Sequence, residues 1–249
     1  MKGIVLAGGL GSRLSPLTRI TNKHLLPVYD QPMIYYPIRC LVEADIRDIL
    51  VVTGGKSAGD FLKLLRNGTE FGLSRIHYAY QEGEEGIAAA LGIAEDFADK
   101  EPVCVVLGDN ILENSIGGFV KKFRDQGSGA KILLSKVHDP HRFGVPVIED
   151  ERIVRIEEKP AEPKSPFAVI GVYMYDNRVF EIIKTLKPSG RGELEITDVN
   201  NQYVEWGNLT WDVIDGWWTD AGTFDSLLHA SNLVAAMRGD HSLKGPNTD

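Results

Sequence analysis

Glycines at positions 8, 9 and 11, followed by Arg13 and, ten residues further on, Lys23, place flexible backbone and two cations within one short stretch of chain. Glycines without Cβ atoms let backbone N–H groups approach phosphate oxygens, and one guanidinium with one ammonium can balance the charge of a triphosphate. The stretch is not a Walker loop, because Ser12 rather than Lys follows Gly11, and it is not a dinucleotide fingerprint, because Leu14 stands where the third glycine belongs. By spacing alone it is either a phosphate-binding loop or a tight turn carrying exposed cations.

Two carboxylates make a second candidate. Asp109 follows the apolar run Val103 to Leu107, and Asp220 lies in Trp217-Trp218-Thr219-Asp220-Ala221-Gly222-Thr223. A carboxylate at the end of a buried strand costs solvation energy unless something pairs with it, and two such groups suit a Mg²⁺ ion that also binds substrate phosphates. The plain alternatives are that Asp109 accepts turn hydrogen bonds beside Asn110 and that Asp220 caps a nearby helix. A third group is Glu158, Lys159 and Arg191. Two cations for a phosphate and a carboxylate for hydroxyls would suit a sugar phosphate, although exposed Glu and Lys also make ordinary solvated charge runs.

These residues need a frame. Gly3 to Ala7, Asp48 to Thr53, Arg75 to Tyr80 and Val103 to Leu107 read as strands, and they alternate with helices over Met33 to Ala44, Ala58 to Leu65 and Ala88 to Phe97. That alternation predicts an α/β, Rossmann-like, mostly parallel mixed sheet flanked by helices, with ligands beyond the carboxyl ends of the strands. After a strand at Ile132 to Val137, Phe143 to Ile148 and Arg152 to Glu157 read as an antiparallel hairpin inserted into that sheet. Ala168 to Tyr175 and Leu209 to Ile214 continue as strands, and Arg178 to Leu186, Glu195 to Trp206 and Phe224 to Met237 as helices. The expected organisation is a single domain over residues 1–241, with 242–249 a polar tail.

The 249 residues carry a net charge of −8, with 43% apolar and 25% charged side chains, so disorder and fibrous structure are excluded. An acidic sum argues against a nucleic-acid partner, and phosphate-handling cations must be few and local. Cys40 and Cys104 lack metal-ligand spacing and read as small buried residues. With neither a signal peptide nor a long apolar run, the expectation is a cytoplasmic protein with no membrane partner.

Taken in order, Leu6 to Leu14 with Lys23-His24-Leu25-Leu26-Pro27, Leu107-Gly108-Asp109-Asn110, Glu157-Glu158-Lys159-Pro160, Arg191 to Asp198 and Thr219 to Thr223 resemble the glucose-1-phosphate thymidylyltransferases over nearly the whole chain. The resemblance implies transfer from dTTP to glucose 1-phosphate with Mg²⁺, giving dTDP-glucose and pyrophosphate. It implies that Arg13 and Lys23 stabilise the reacting phosphates, that Lys159 and Arg191 act on the sugar phosphate, and that Asp109 and Asp220 hold the metal. Leu6, Gly8, Gly9, Gly11, Gln81, Gly86 and Asp109 would contact the nucleotide. Gly144, Glu158, Lys159, Val169, Arg191 and Trp218 would contact the sugar, the indole being equally suited to core packing. The nucleotide part would occupy roughly 1–138 and the sugar part, with its hairpin insertion, roughly 139–222.

The chain departs from the family pattern at three places: Glu82 to Ala89 replaces a proline-containing run ending in an amide, Phe143 replaces a tyrosine, and Ile170 replaces a threonine. A related enzyme using UTP or another sugar 1-phosphate is the nearest rival reading, and a non-catalytic nucleotide-sugar sensor is another. The chain resembles the short form of the family, which implies a monomer or homodimer without the regulatory site of longer members.

Overall fold

The computed structural model describes residues 1–239, so the expected tail at 242–249 lies outside the described residues. The first strand, β1 (Lys2–Ala7), is buried from Gly3 onward. Ile4 and Leu6 join one hydrophobic core while Val5 and Ala7 join another, as a central strand covered on both faces requires. A short pair, β2 (Pro27–Val28) and β3 (Gln31–Pro32), and helix α1 (Tyr35–Glu43) lead to β4 (Ile49–Gly54), α2 (Ala58–Leu65) and β5 (Ile76–Gln81). Then α3 (Ile87–Gly92) and α4 (Glu95–Ala98) lead to β6 (Val103–Leu107).

β1 pairs in parallel with β4 on one side and β6 on the other, and β4 pairs in parallel with β5. The chain thus winds outward from β1 to β5 and returns to the opposite edge of β1. A crevice opens where the direction switches, and there Leu6 is in register with Leu107. The glycine loop after β1 and the turn after β6 are therefore neighbours although about a hundred residues separate them.

The second half makes the sheet mixed. β7 (Asn110–Leu112), α5 (Gly117–Gln126), β8 (Ala130–Lys136), the hairpin β9 (Gly144–Glu149) and β10 (Arg152–Glu158), and β11 (Phe167–Tyr175) follow. Helices α6 (Arg178–Thr185) and α7 (Ile196–Glu205), strands β12 (Leu209–Val213) and β13 (Trp218–Asp220), and helix α8 (Phe224–Met237) complete the order. β11 runs antiparallel to β6, so the sheet reads β10-β9-β11-β6-β1-β4-β5, with β8 paired to β11 and β12 to β8. One face carries residues of α3, α4, α6 and α7, the other those of α1, α2 and α5. Cys40 and Cys104 are free and buried, and burial raises both thiols, that of Cys104 to about 12.

Three local features differ from the sequence reading. The helix expected over Ala88 to Phe97 breaks into α3 and α4 at Gly92, which costs a helix about 1 kcal/mol relative to alanine. A Cβ there would stand 3.2 Å from Ile183 Cγ2, so the small residue serves the packing of α3 on α6. Helix α5 goes unassigned by pattern because it begins on two glycines; the Ser115 hydroxyl accepts a hydrogen bond from Gly117 N–H at 3.2 Å at its start. The short antiparallel pair β7 and β13 also goes unassigned, since three-residue strands carry no periodicity, yet it sets Asp220 opposite Asn110.

Candidate active site

One cavity of about 490 Å³ opens over the switch point, and every residue expected to act from sequence lines it. Leu6 and the glycine loop at 8, 9 and 11 form one wall with Arg13 and Lys23, and Gln81 and Gly86 stand beyond them. Asp109 and Asp220 lie across from the loop. Gly144, Glu158, Lys159, Val169, Arg191 and Trp218 form the wall built by the second half of the chain.

The two aspartates meet because two turns are tied together. Ala221 N–H donates to the Asp109 carbonyl at 2.9 Å, and β13 lies against β7. Both carboxylates and Arg13 converge on Gly222, where a Cβ would stand 3.1 Å from Asp220 Oδ2, 3.5 Å from Asp109 Oδ2 and 3.0 Å from Arg13 Nη2. Asp220 does not cap α8; that task falls to Thr223, whose hydroxyl accepts from Ser226 N–H in a reciprocal capping box. Asp109 is held by side chains rather than by turn amides: Lys23 Nζ donates to Oδ2 at 2.5 Å and Asn110 Nδ2 to Oδ1 at 3.0 Å.

Their electrostatics differ. Burial alone would raise the Asp109 carboxyl, but the Lys23 ammonium and the hydrogen bonds outweigh it and hold the group well below the usual carboxylate range. Asp220 moves upward, first by burial and then by the charge of Asp109 facing it. Arg142 offsets this in part, with Nη2 3.5 Å from Asp220 Oδ2 and Nη1 2.8 Å from Asp139 Oδ2. Each aspartate therefore already holds its own side-chain cation.

Across the cavity, Thr197 donates to Glu158 Oε2 at 2.5 Å, and Lys159 Nζ lies 3.6 Å from Glu158 Oε1. Lys159 takes a left-handed φ of 45° at the end of β10, with its N–H donating to the Phe143 carbonyl at 3.0 Å. A lysine in that region of φ costs of order 1 kcal/mol and persists only where its surroundings demand it. Arg191 is gripped by Glu195, Nη2 to Oε2 at 2.7 Å and Nε to Oε1 at 3.2 Å, a forked pair that fixes the guanidinium plane. Trp218 is not simply core: its indole N–H donates to Asn110 Oδ1 at 2.7 Å, and its ring meets Phe143 edge to face at 5.3 Å. Of the family departures, Phe143 and, from the run Glu82 to Ala89, Glu84, Gly86 and Ile87 line the cavity. Ile170 is fully buried in the core behind the sheet, and Ala89 does not line the cavity.

Sequence reasoning assigned no role to several residues here. Asn110 links Asp109, Trp218 and the N–H of Gly171. Glu84 accepts a hydrogen bond from Leu10 N–H, closing the acidic turn after Gln81 against the glycine loop. His24 is buried beneath the turn at Gly108, with its backbone N–H at 2.9 Å and its Nδ1 at 2.7 Å from Asn22 Oδ1. Burial and then the Lys23 charge push His24 down to about 3, so the imidazole is neutral at ordinary pH. The motif strings contained Asn110, Glu84, His24 and Glu195, but only the third dimension shows what they touch.

A divalent ion fits this donor set. Among the described residues no cluster of three or more His, Cys, Asp or Glu could hold a metal alone. Mg²⁺, however, usually takes one or two carboxylates and completes its shell with water and substrate phosphates. Among the described residues, five cationic side chains (Arg13, Lys23, Arg142, Lys159 and Arg191) line the cavity against six carboxylates (Glu84, Asp109, Glu158, Glu193, Glu195 and Asp220), so a triphosphate entering without its own counter-cation meets no net positive wall.

The nucleotidyl transferase family profile matches residues 2–237. A glucose-1-phosphate thymidylyltransferase of Neisseria meningitidis is 48% identical over 247 residues, covering 98% of this chain and 85% of the relative. One from Mycolicibacterium smegmatis is 45% identical over 248 residues, again with 98% and 85% covered. A Bacillus anthracis crystal structure, assigned as a glucose-1-phosphate thymidylyltransferase and solved with sucrose, is 53% identical with a TM-score of 0.90 and 94% of each chain covered. A UDP-glucose pyrophosphorylase bound to UDP-glucose superposes with a TM-score of 0.82 at 23% identity, a likeness of fold alone.

Proposed function

We propose, from the premise that the chain belongs to the nucleotidyl transferase family, that it transfers a deoxythymidylyl group from dTTP to glucose 1-phosphate, releasing pyrophosphate and forming dTDP-glucose. The observation that carries the reading is the convergence of four cations, Arg13, Lys23, Lys159 and Arg191, and two aspartates on one cavity.

A sugar phosphate with a second pKa near 6 is largely dianionic at neutral pH, so its oxygen attacks the α-phosphorus without a general base. Burial holds His24 down to about 3, too weak a base to take a proton at neutral pH, which fits chemistry that asks for no proton acceptor. Catalysis then rests on alignment and charge neutralisation. In this reading Gln81 and the backbone at Gly86 read the base; Gln81 is buried, with Nε2 3.5 Å from the Gly86 carbonyl. Leu6 and the loop glycines 8, 9 and 11 receive the nucleoside and phosphates. Arg13 and Lys23 balance the charge on the reacting phosphates and the departing pyrophosphate. Glu158, with Gly144, Val169 and Trp218, holds the hexose, while Lys159 and Arg191 hold its phosphate oxygen in line. Asp109 and Asp220 would hold a Mg²⁺ ion, whose contribution is to neutralise phosphate charge. Residues 1–138 thus handle the nucleotide and 139–222 the sugar.

The test is pyrophosphate release from dTTP, UTP, CTP and GTP, each against a panel of sugar 1-phosphates, with and without Mg²⁺. The expected result is turnover with dTTP and glucose 1-phosphate that needs the metal. Uracil lacks one methyl, worth only about 1 to 3 kcal/mol in a pocket, so UTP should follow within about 200-fold. Absence of turnover with every pair would leave a nucleotide-sugar sensor as the better account.

A further inference from the structure

Asn200 sits on α7 one turn beyond Thr197, lines the same cavity and is only 1% exposed. Its amide is half satisfied. The Tyr175 hydroxyl donates to Asn200 Oδ1 at 2.6 Å, while Asn200 Nδ2 has no hydrogen-bond partner among the described residues. Tyr175 is fully buried and makes no other hydrogen bond through its hydroxyl among the described residues, so its proton goes to Oδ1 and fixes which end of the amide faces it. Two N–H bonds are thereby left without an acceptor, on a residue that lines the cavity. A buried donor without an acceptor is costly, and native proteins tolerate few of them. Thr197 and Glu158, one helical turn away, already form a paired donor and acceptor. Of the buried side-chain atoms left without a partner among the described residues, the Asn200 amide nitrogen alone belongs to a residue that lines this cavity.

We propose that Asn200 is a specificity-determining residue whose Nδ2 donates to a hydroxyl oxygen of the bound hexose, with Tyr175 as the positioning residue that aims it. The assignment rests on the reading of the cavity as a site for a hexose phosphate. It adds a side-chain donor beside the Glu158 carboxylate, which can only accept. A site with both an acceptor and a fixed donor distinguishes hexoses by the position of their hydroxyls, because a sugar lacking the matching group leaves the amide unpaired again.

The experiment compares wild type, Asn200→Asp and Tyr175→Phe on glucose 1-phosphate and its 2-, 3-, 4- and 6-deoxy analogues at saturating dTTP. Wild type should lose about tenfold or more in kcat/KM on the one analogue that lacks the partner hydroxyl. Asn200→Asp should lose a similar factor on glucose 1-phosphate itself and show no further loss on that analogue, with the KM for dTTP within about twofold of wild type. Tyr175→Phe should show an intermediate loss on the same analogue. If all three proteins rank the analogues identically, an ordered water or a purely structural amide fills the role, and the inference is overturned. Should either variant fail to fold, a wild-type complex with dTDP-glucose decides alone: a hexose hydroxyl within hydrogen-bond distance of Nδ2 supports the assignment, and its absence overturns it. Wild type inactive on every sugar phosphate would instead overturn the parent reading, a result distinct from an active enzyme with an unchanged analogue profile.

Discussion

At the scale of single residues, the site is built from charges that already have partners. Lys23 on Asp109 and Arg142 on Asp220 keep two facing carboxylates tolerable before any substrate arrives. Asp109→Asn should therefore lower turnover about 100-fold or more at low Mg²⁺ while far-UV circular dichroism stays native. Near-normal turnover would remove Asp109 from the metal pair. His24 makes a different prediction. In the unfolded chain an imidazole takes up its proton near pH 6.5, whereas burial and Lys23 hold the folded group down to about 3. Between those values the unfolded chain binds more protons, so stability is lost as pH falls through the window. Wild type should lose about 0.7 kcal/mol more than His24→Gln between pH 7 and 6 and about 1.2 kcal/mol more between pH 6 and 5, read from urea melts. Parallel slopes would show that the imidazole is not held neutral.

The elements aim these residues through short, steric turns. The segment after β6 passes directly over His24: a Cβ on Gly108 would lie 2.5 Å from the imidazole Cδ2 and 3.0 Å from the Leu6 carbonyl. That close approach fixes the exit of Asp109 and is legible only as Leu-Gly-Asp-Asn in the sequence. Gly108→Ala should destabilise the protein by about 1 to 3 kcal/mol and reduce activity beyond what the loss of folded protein explains, because backbone and imidazole must both move. A calorimetric Tm within a degree of wild type, with normal kcat, would contradict this. The long helices and strands are legible in the sequence because their apolar spacing is a local property. The β7 and β13 pair is not, since three residues cannot display a period, although that pair delivers Asp220 and Trp218.

At the scale of the molecule, the sheet lets segments from the whole chain share one crevice. The strand order switches at β1, and β11 joins the other side of β6, so the glycine loop and the wall built by the second half of the chain face each other across a single opening. With a net charge of −8 and six carboxylates against five cations on the cavity wall, neither the global field nor the bare wall attracts a polyanion, so a triphosphate has to bring its own counter-cation. Ligand that bridges the two halves should stabilise both together. At 100 times its Kd, dTTP with Mg²⁺ should add about 2.7 kcal/mol and raise Tm by roughly 5 to 10 °C, measured by scanning fluorimetry. The same nucleotide without Mg²⁺ should give a clearly smaller shift at equal concentration. Equal shifts would argue that the aspartate pair does not bind the metal together with the nucleotide.

Sequence alone determined the α/β rhythm, the buried central strands and the set of glycines, cations and carboxylates that share the cavity. The first two are written in the spacing of neighbouring residues, while the third follows from the order in which the motifs resemble the family, since spacing leaves each of them a plain alternative. Tertiary structure decided which charges meet. Lys23 finds Asp109 across 86 positions, Trp218 finds Asn110 across 108, and Tyr175 leaves the Asn200 amide with one end unspent. Local patterning constrains which face of an element is apolar, but pairings at such separations follow only from the order in which strands add to the sheet.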